Sequence, residues 1–240
     1  MTQSFSQFGE DLLLWEYFRK RPQGFFVEVG ANHPTKYSQT WLFERQGWKG
    51  ILVEPLAAKS DLLRRERPGS RVFQAAMGAP EQRGRARFSV AAGDDMLSGL
   101  MMNDGVDIEA VEEVEVKTLD DVLAEAGNPK LDLVSIDVEG VELQVLRGFD
   151  LERHRPAVLL IEDHLKNLDV HRFIARHGYR LVKRTGCNNW YVPRNAEFEL
   201  STAGERFGLR KKIWLDTPVR RVRLFFKRKF ARTKPSPAAT

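Results

Sequence analysis

Short blocks of continuous apolar residues alternate along this chain with stretches whose apolar positions recur every three or four residues. The block GFFVEVG, β-branched and aromatic and closed by Gly30, predicts a buried strand. GILVEP, closed by Pro55, predicts a second, and residues 71–76, ahead of Gly78, a third. LDLVSIDVEG and PAVLLIEDH follow as the fourth and fifth, and two shorter runs, 179–183 and 190–192, complete the set. Helical patterns lie between them. Phe8, Leu12, Trp15 and Phe18 share one helical face. Ser38 is placed to cap a helix carrying Trp41, Leu42 and Phe43, stopped by Gly47. A charged helix is predicted over 56–67, Thr118 with Asp121 opens one that ends at Gly127, and two more run over 141–147 and through Phe173.

Continuous apolar strands alternating with helices imply a mostly parallel α/β sheet covered on both faces. The short link between the last two runs implies an antiparallel ending. The middle of the chain differs. Residues 85–90 and 114–117 alternate as antiparallel strands do, and the stretch between them carries Gly93, Asp94, Asp95, Ser98, Gly99, Asn103 and Asp104. A long polar loop inside a compact domain is uncommon without a function, so the segment 91–113 is expected to act as a lid.

The 240 residues, 42% hydrophobic and 30% charged, suffice for one sizeable α/β domain. Cys187 is the single cysteine, which excludes an internal disulfide and any CxxC motif. The first ten residues lack an apolar signal core, and no apolar run reaches membrane-spanning length, so the expectation is a cytoplasmic protein. The net charge of +5 is unevenly spread: from Lys211 onward there are ten basic residues against Asp216 alone, a local charge of +9. The chain thus divides into a mildly acidic domain over 1–200 and a basic extension over 201–240. Within the extension Val219, Val222, Phe226 and Phe230 fall on one helical face among arginines and lysines, a pattern suited to an anionic membrane surface.

Candidate chemistry gathers at strand ends. Glu28 with Gly30, Glu54, and Asp137 with Glu139 close three of the strands, and Glu162-Asp163-His164 closes the fifth. In doubly wound sheets ligands bind at that edge. The dinucleotide pattern G-x-G-x-x-G is absent, and a carboxylate such as Glu54 suits two ribose hydroxyls because it accepts from both. With these residues in view, the chain resembles the FkbM family of S-adenosylmethionine-dependent methyltransferases. Six stretches carry the resemblance in the family's order: SQFGED, FFVEVGAN, GWKGILVEP, VEVKTLDDVL, LDLVSIDVEGVELQVLRG and PAVLLIEDH, spanning 6–164. His33-Pro34 stands where the family usually has Asp-Gly.

The resemblance implies a Rossmann-like class I methyltransferase fold, a mostly parallel seven-stranded sheet with an antiparallel final strand. It implies that Glu28, Gly30 and Asn32 line the methyl donor, that Glu54 holds its ribose, and that Gln7, Ser98 and Asp137 lie nearby. It further implies a hydroxyl acceptor on a sugar, glycoconjugate or related metabolite. A sugar hydroxyl is a weak nucleophile at neutral pH, so a general base or a metal ion must help. His164 is the first choice of base, with Asp137 beside it as a second catalytic group. Asp137, Glu162 and Asp163 offer oxygen ligands for a hard divalent cation such as Mg²⁺. Both routes stay open. Two other functions stay open too. The basic tail suggests a nucleic-acid methyltransferase, although the acidic body and the lack of an Asn-Pro-Pro-aromatic motif oppose it. The other is a module that binds the donor without catalysis.

Overall fold

The computed structural model describes residues 3–91, 108–165, 168–216 and 219. Helix α1 (Glu10–Tyr17) leads into β1 (Phe25–Val29), α2 (Trp41–Arg45), β2 (Lys49–Val53), α3 (Ala57–Glu66) and β3 (Ser70–Phe73). A small excursion follows, made of β4 (Ala76–Met77), β5 (Gly84–Ala91) and β6 (Ile108–Lys117). The chain then returns through α4 (Leu119–Glu125), β7 (Leu133–Ile136), α5 (Glu142–Arg147), α6 (Leu151–His154) and β8 (Val158–Glu162). It ends with α7 (Asp169–Arg176), β9 (Tyr179–Thr185), β10 (Asn188–Pro193) and α8 (Ala203–Lys211).

Seven strands form the main sheet in the order β3-β2-β1-β7-β8-β10-β9. The first five run parallel, and β10 lies antiparallel to both β8 and β9. This is the Rossmann-like class I methyltransferase fold. Strand order reverses between β1 and β7, which opens a crevice at their carboxyl ends. Alternation along β7 shows how the strands build two cores. Leu133 faces one layer with Leu14, Phe26, Leu160 and Trp190, while Val134 and Ile136 face the other with Val122, Val145 and Ile161. Full burial of each such side chain contributes about 1.5–3 kcal/mol. Both ends of α4 follow from sequence: the Thr118 hydroxyl accepts from Asp121 N–H, Asp121 accepts in return from Thr118 N–H, and Gly127 takes a left-handed φ of 85° after the last turn.

Three expectations are corrected. The strand expected over 71–76 is two strands, because the chain leaves the main sheet after Phe73 and Ala76–Met77 pair instead with β6. Part of the loop expected over 91–113 is strand: Ile108 to Glu113 belong to β6, where Arg87 lies opposite Glu113 and Arg85 opposite Glu115 in the ladder with β5, and the rest of the expected lid, 92–107, lies outside the described residues. Finally, Phe8 is no part of the α1 core face. It is 44% exposed and its ring lies over Gly186, where a Cβ would collide with it, while Leu14 fills the core.

Beyond β10, Ser201 donates to Val182 O, and Lys183 bonds Leu200 O and Glu205, which seats α8 on β9. A π-helical turn over Lys212–Asp216 follows, with Ile213 buried against Leu165 and Leu168. Val222, Phe226 and Phe230 lie outside the described residues. No helix among the described residues is long and apolar enough to cross a membrane.

Candidate active site

The carboxyl ends of β1, β2 and β7 enclose a pocket with two walls. Glu28, Gly30, Asn32, Glu54, Lys59 and Asp137 supply its polar wall, and Leu56, Ala75, Ala76, Met77 and Phe88 its apolar one. Gly30 is required where it stands. Its φ is 82°, and a Cβ there would strike the carbonyl oxygen of Asp137, so only glycine lets β1 and β7 close at this point.

The carboxylates on this side are occupied by the fold itself. Glu54, buried at the end of β2, accepts from Asn32 N–H at Oε2 (3.0 Å) and from Leu56 N–H at Oε1 (3.0 Å). Asn32 presents that N–H from a left-handed turn (φ 46°), and its Oδ1 accepts from Lys59 Nζ at 2.5 Å. Glu28 accepts from Gln39 N–H (2.9 Å), Ser38 Oγ (3.1 Å) and Thr40 Oγ1 (2.5 Å). Behind it the fully buried Arg67 donates to Thr40 Oγ1, Ser38 Oγ, Pro34 O and Glu44, and Glu44 also accepts from Gly69 N–H and Ser70 Oγ. This network stakes the turn from Ala31 to Thr40 to the core. Ser135 on β7 donates to the Gln39 side chain and ties the same turn to the next strand.

The ends of β7 and β8 present the opposite condition. Oxygens of Asp137, Glu139 and Glu162 all lie within 4.8 Å of one another. Burial above all, then the charge of Glu162 and a hydrogen bond with it, then Glu139 and Glu142, hold the Asp137 carboxyl well above the usual carboxylate range. Cys187 borders the group, its thiol pushed up to about 12 by burial and by a hydrogen bond to Glu162. The thiol therefore stays protonated and unreactive at neutral pH. His164 stands at the rim, 57% exposed, with Nε2 3.6 Å from Glu162 Oε1. Such a group can take a proton from a hydroxyl, accept several hydroxyl hydrogen bonds, or hold a hard cation.

Of the residues singled out from sequence, Glu28, Gly30, Asn32, Glu54 and Asp137 line one pocket. Glu162 joins Asp137, but Asp163 does not. Its Oδ1 accepts from Leu165 N–H, its Oδ2 is enclosed without a hydrogen-bond partner among the described residues, and burial raises its pKa. Glu139 completes the trio instead, carried inward on a left-handed backbone (φ 54°) that its position in the sequence does not announce. Gln7 is exposed and lines no part of the pocket, although its neighbour Ser6 bridges to Tyr37 on the turn from Ala31 to Thr40. Ser98 lies outside the described residues. Residues not foreseen include Lys59, legible only as a cation one turn after Glu54, and Glu10. Buried in α1, Glu10 accepts from Thr185 Oγ1 and Asn188 Nδ2 and holds the β9–β10 turn beside the acidic trio.

The model of the methyltransferase FkbM domain matches residues 28–181. No curated protein matches the chain. Among solved structures, a TehB-like SAM-dependent methyltransferase from Corynebacterium glutamicum is 11% identical, covers 78% of this chain and 89% of its own, and has a TM-score of 0.41. A precorrin-6y C5,15-methyltransferase from Geobacter metallireducens is 12% identical, with coverage of 80% and 90% and a TM-score of 0.42. These are distant likenesses.

Proposed function

The chain belongs to the FkbM family of S-adenosylmethionine-dependent methyltransferases, and we propose that it methylates a hydroxyl of a sugar, glycoconjugate or related metabolite. One observation carries this reading: the acidic trio Asp137, Glu139 and Glu162, with His164 at its rim, adjoins the donor pocket through Asp137, which belongs to both. Hydroxyl groups are hydrogen-bond donors, and a cluster of carboxylates is a cluster of acceptors.

The pocket suits the donor in its chemistry. Glu54 is pre-set by two backbone N–H groups to accept from a ribose diol, and the apolar wall around Met77 and Phe88 suits a flat purine. Carboxylates at Glu28 and Asp137, and no phosphate-binding glycine loop, suit a cationic ligand without phosphates. Bound there, S-adenosylmethionine supplies a methyl group already activated on sulfur. The chain's own work is then to align the acceptor oxygen and remove its proton. Asp137 and Glu139 accept hydrogen bonds from acceptor hydroxyls. His164, oriented by Glu162, takes the proton as the oxygen–carbon bond forms and the carbon–sulfur bond breaks.

Mg²⁺ fits the same oxygens. Asp137, Glu139 and Glu162 are hard ligands, and their crowding is the arrangement a divalent cation relieves. A cation held there would acidify a neighbouring hydroxyl.

The test is incubation with ¹³C-methyl donor and a fraction of soluble sugars and glycoconjugates, read by NMR with and without EDTA. A new methyl ether signal is the expected product. Label arriving only in RNA, or only on nitrogen or carbon, overturns the hydroxyl reading, and donor binding with no transfer to any fraction points to a non-catalytic module. Full activity after EDTA removes the metal and leaves His164 as the unaided base.

A further inference from the structure

Far from the donor pocket, the first half of β9 and the end of β10 form a groove with α8 whose charge is of one sign. Arg180, Arg194, Arg206 and Arg210 line it, with Leu209 and Trp214 beside them. Three of these arginines are steadied by backbone carbonyls: Arg180 donates to Ala196 O, Arg194 to Ala175 O and Arg206 to Ser201 O. None of the four forms an ion pair with a carboxylate among the described residues. Glu197 and Glu199, on the link from β10 to α8, do not line the groove.

Next to this charge stands an apolar face turned outward. Capping by Thr202 and the Lys183–Glu205 contact fix α8 on β9, and Ile213 is buried. With that register set, Phe207 on α8 is left 71% exposed and Trp214, on the π-helical turn that follows it, 79%, and Leu215 and Val219 are exposed too. Monomeric proteins rarely leave large apolar side chains grouped beside a field of one sign unless something covers them. Aromatic rings flanked by arginines match the headgroup region of a bilayer, where rings bury at the boundary and guanidinium groups meet phosphates.

We infer that the groove and the outer face of α8 form a docking surface for an anionic phospholipid membrane. The folded domain itself thus contributes binding, in addition to the basic residues that follow Val219.

The test uses the full chain with vesicles of phosphatidylcholine alone or mixed with phosphatidylglycerol, read by co-sedimentation and by quenching from brominated lipid. Wild type pellets with the mixed vesicles only. Changing Arg206→Gln together with Arg210→Gln lowers the partition coefficient by about thirtyfold at low salt, since each basic residue near such a surface contributes about fivefold. High salt erases that difference. Phe207→Ser with Trp214→Ser weakens binding at both salt levels, and Trp214→Phe removes most of the quenching. Donor affinity and thermal midpoint, measured alongside, verify that each variant is folded. Equal pelleting of wild type and both double variants overturns the inference and leaves any binding to the tail. It is equally overturned if the Phe207/Trp214 variant converts a dimer to a monomer while vesicle binding is unchanged, for then a second copy covers the face.

Discussion

Two groups of carboxylates sit at the same edge of one sheet in opposite circumstances. Glu28 and Glu54, on the donor side, accept hydrogen bonds from Ser38, Gln39, Thr40, Asn32 and Leu56, and a buried arginine stands behind Glu28. Asp137, Glu139 and Glu162, on the proposed acceptor side, crowd within 4.8 Å of one another, with Cys187 hydrogen-bonded to Glu162 and His164 3.6 Å from it. The first group is held by hydrogen bonds of the fold before any ligand arrives, so its geometry is preorganised. The second crowds acids in a buried place, which disfavours the ionised form of Asp137. On the proposed reading, donor binding rests on a preorganised pocket, while acceptor chemistry falls to the crowded trio.

If that contrast is sound, the largest effect of mutation should be on turnover and should come from the acceptor side. His164→Ala is expected to lower kcat by about 10²–10⁴-fold, the range for loss of a general base. Its exposed position predicts unchanged donor affinity and folding. Asp137→Asn should lose activity comparably, and because Asp137 also lines the donor pocket, donor affinity is measured beside kcat, where the larger loss should fall. A His164 variant of normal kcat would move the base elsewhere in the trio.

On the donor side the next effect should fall on stability. Arg67 is fully buried and donates to Glu44, Ser38, Thr40 and Pro34, so Arg67→Met leaves Glu28 and Glu44 enclosed without their cation. Breaking a buried pair from one side costs about 3–5 kcal/mol. Urea unfolding should show it as a lower midpoint at similar slope. A variant as stable as wild type would mean that the donor turn does not depend on this network.

A smaller loss separates ligand contact from scaffolding at Glu54. Glu54→Ala removes an acceptor for the ribose and is expected to weaken donor binding by about 2–3 kcal/mol, in line with charge-assisted hydrogen bonds. The same change frees the Asn32 and Leu56 amides, so Glu54→Gln is the sharper companion. It keeps one acceptor oxygen and should recover part of the affinity. Calorimetry in which both variants match wild type would move the ribose contact to another residue.

The contrast also explains what could be read from sequence. Strands such as Val158–Glu162 declare themselves because burial on both faces demands continuous apolar residues, and the acids that end them stand out against that background. Glu28, Glu54, Asp137 and Glu162 were legible for this reason. Glu139 was harder to place because a left-handed turn, not a strand register, brings it to the trio. Asp163 shows the same logic reversed: one residue past the strand, its carboxylate turns to the Leu165 amide. Glu10, which opens α1, and Arg67, just past the end of α3, are charged residues of kinds ordinarily solvated, and only tertiary contacts across long stretches of chain bury them. The split of 71–76 into two strands reflects pairing with β6, a partner far along the chain that no local pattern encodes.

The smallest predicted effect is the one that most directly probes the crowding of these acids. Asp137 shares its surroundings with Glu139, Glu142 and Glu162, and burial raises the energy of its ionised form. Asp137→Asn removes a carboxyl whose ionised form burial and Glu162 disfavour, and supplies an amide that can donate to Glu162. The variant should therefore be more stable than wild type at neutral pH, by about 0.5–2 kcal/mol, the usual gain when a strained functional group is neutralised. The direction is informative because the same change is expected to abolish activity, so stability and function part at a single carboxylate. Magnesium supplies the second half of the test. A cation that binds the folded trio stabilises it in proportion to occupancy, so Mg²⁺ should raise the thermal midpoint of wild type and leave the variant nearly unmoved. At Glu28, where hydrogen bonds already satisfy the charge, Glu28→Gln should be destabilising and should leave the response to Mg²⁺ intact. If Asp137→Asn lowers the midpoint instead, the trio is a structural cluster like its neighbour, and the division between a settled donor side and an unsettled acceptor side fails.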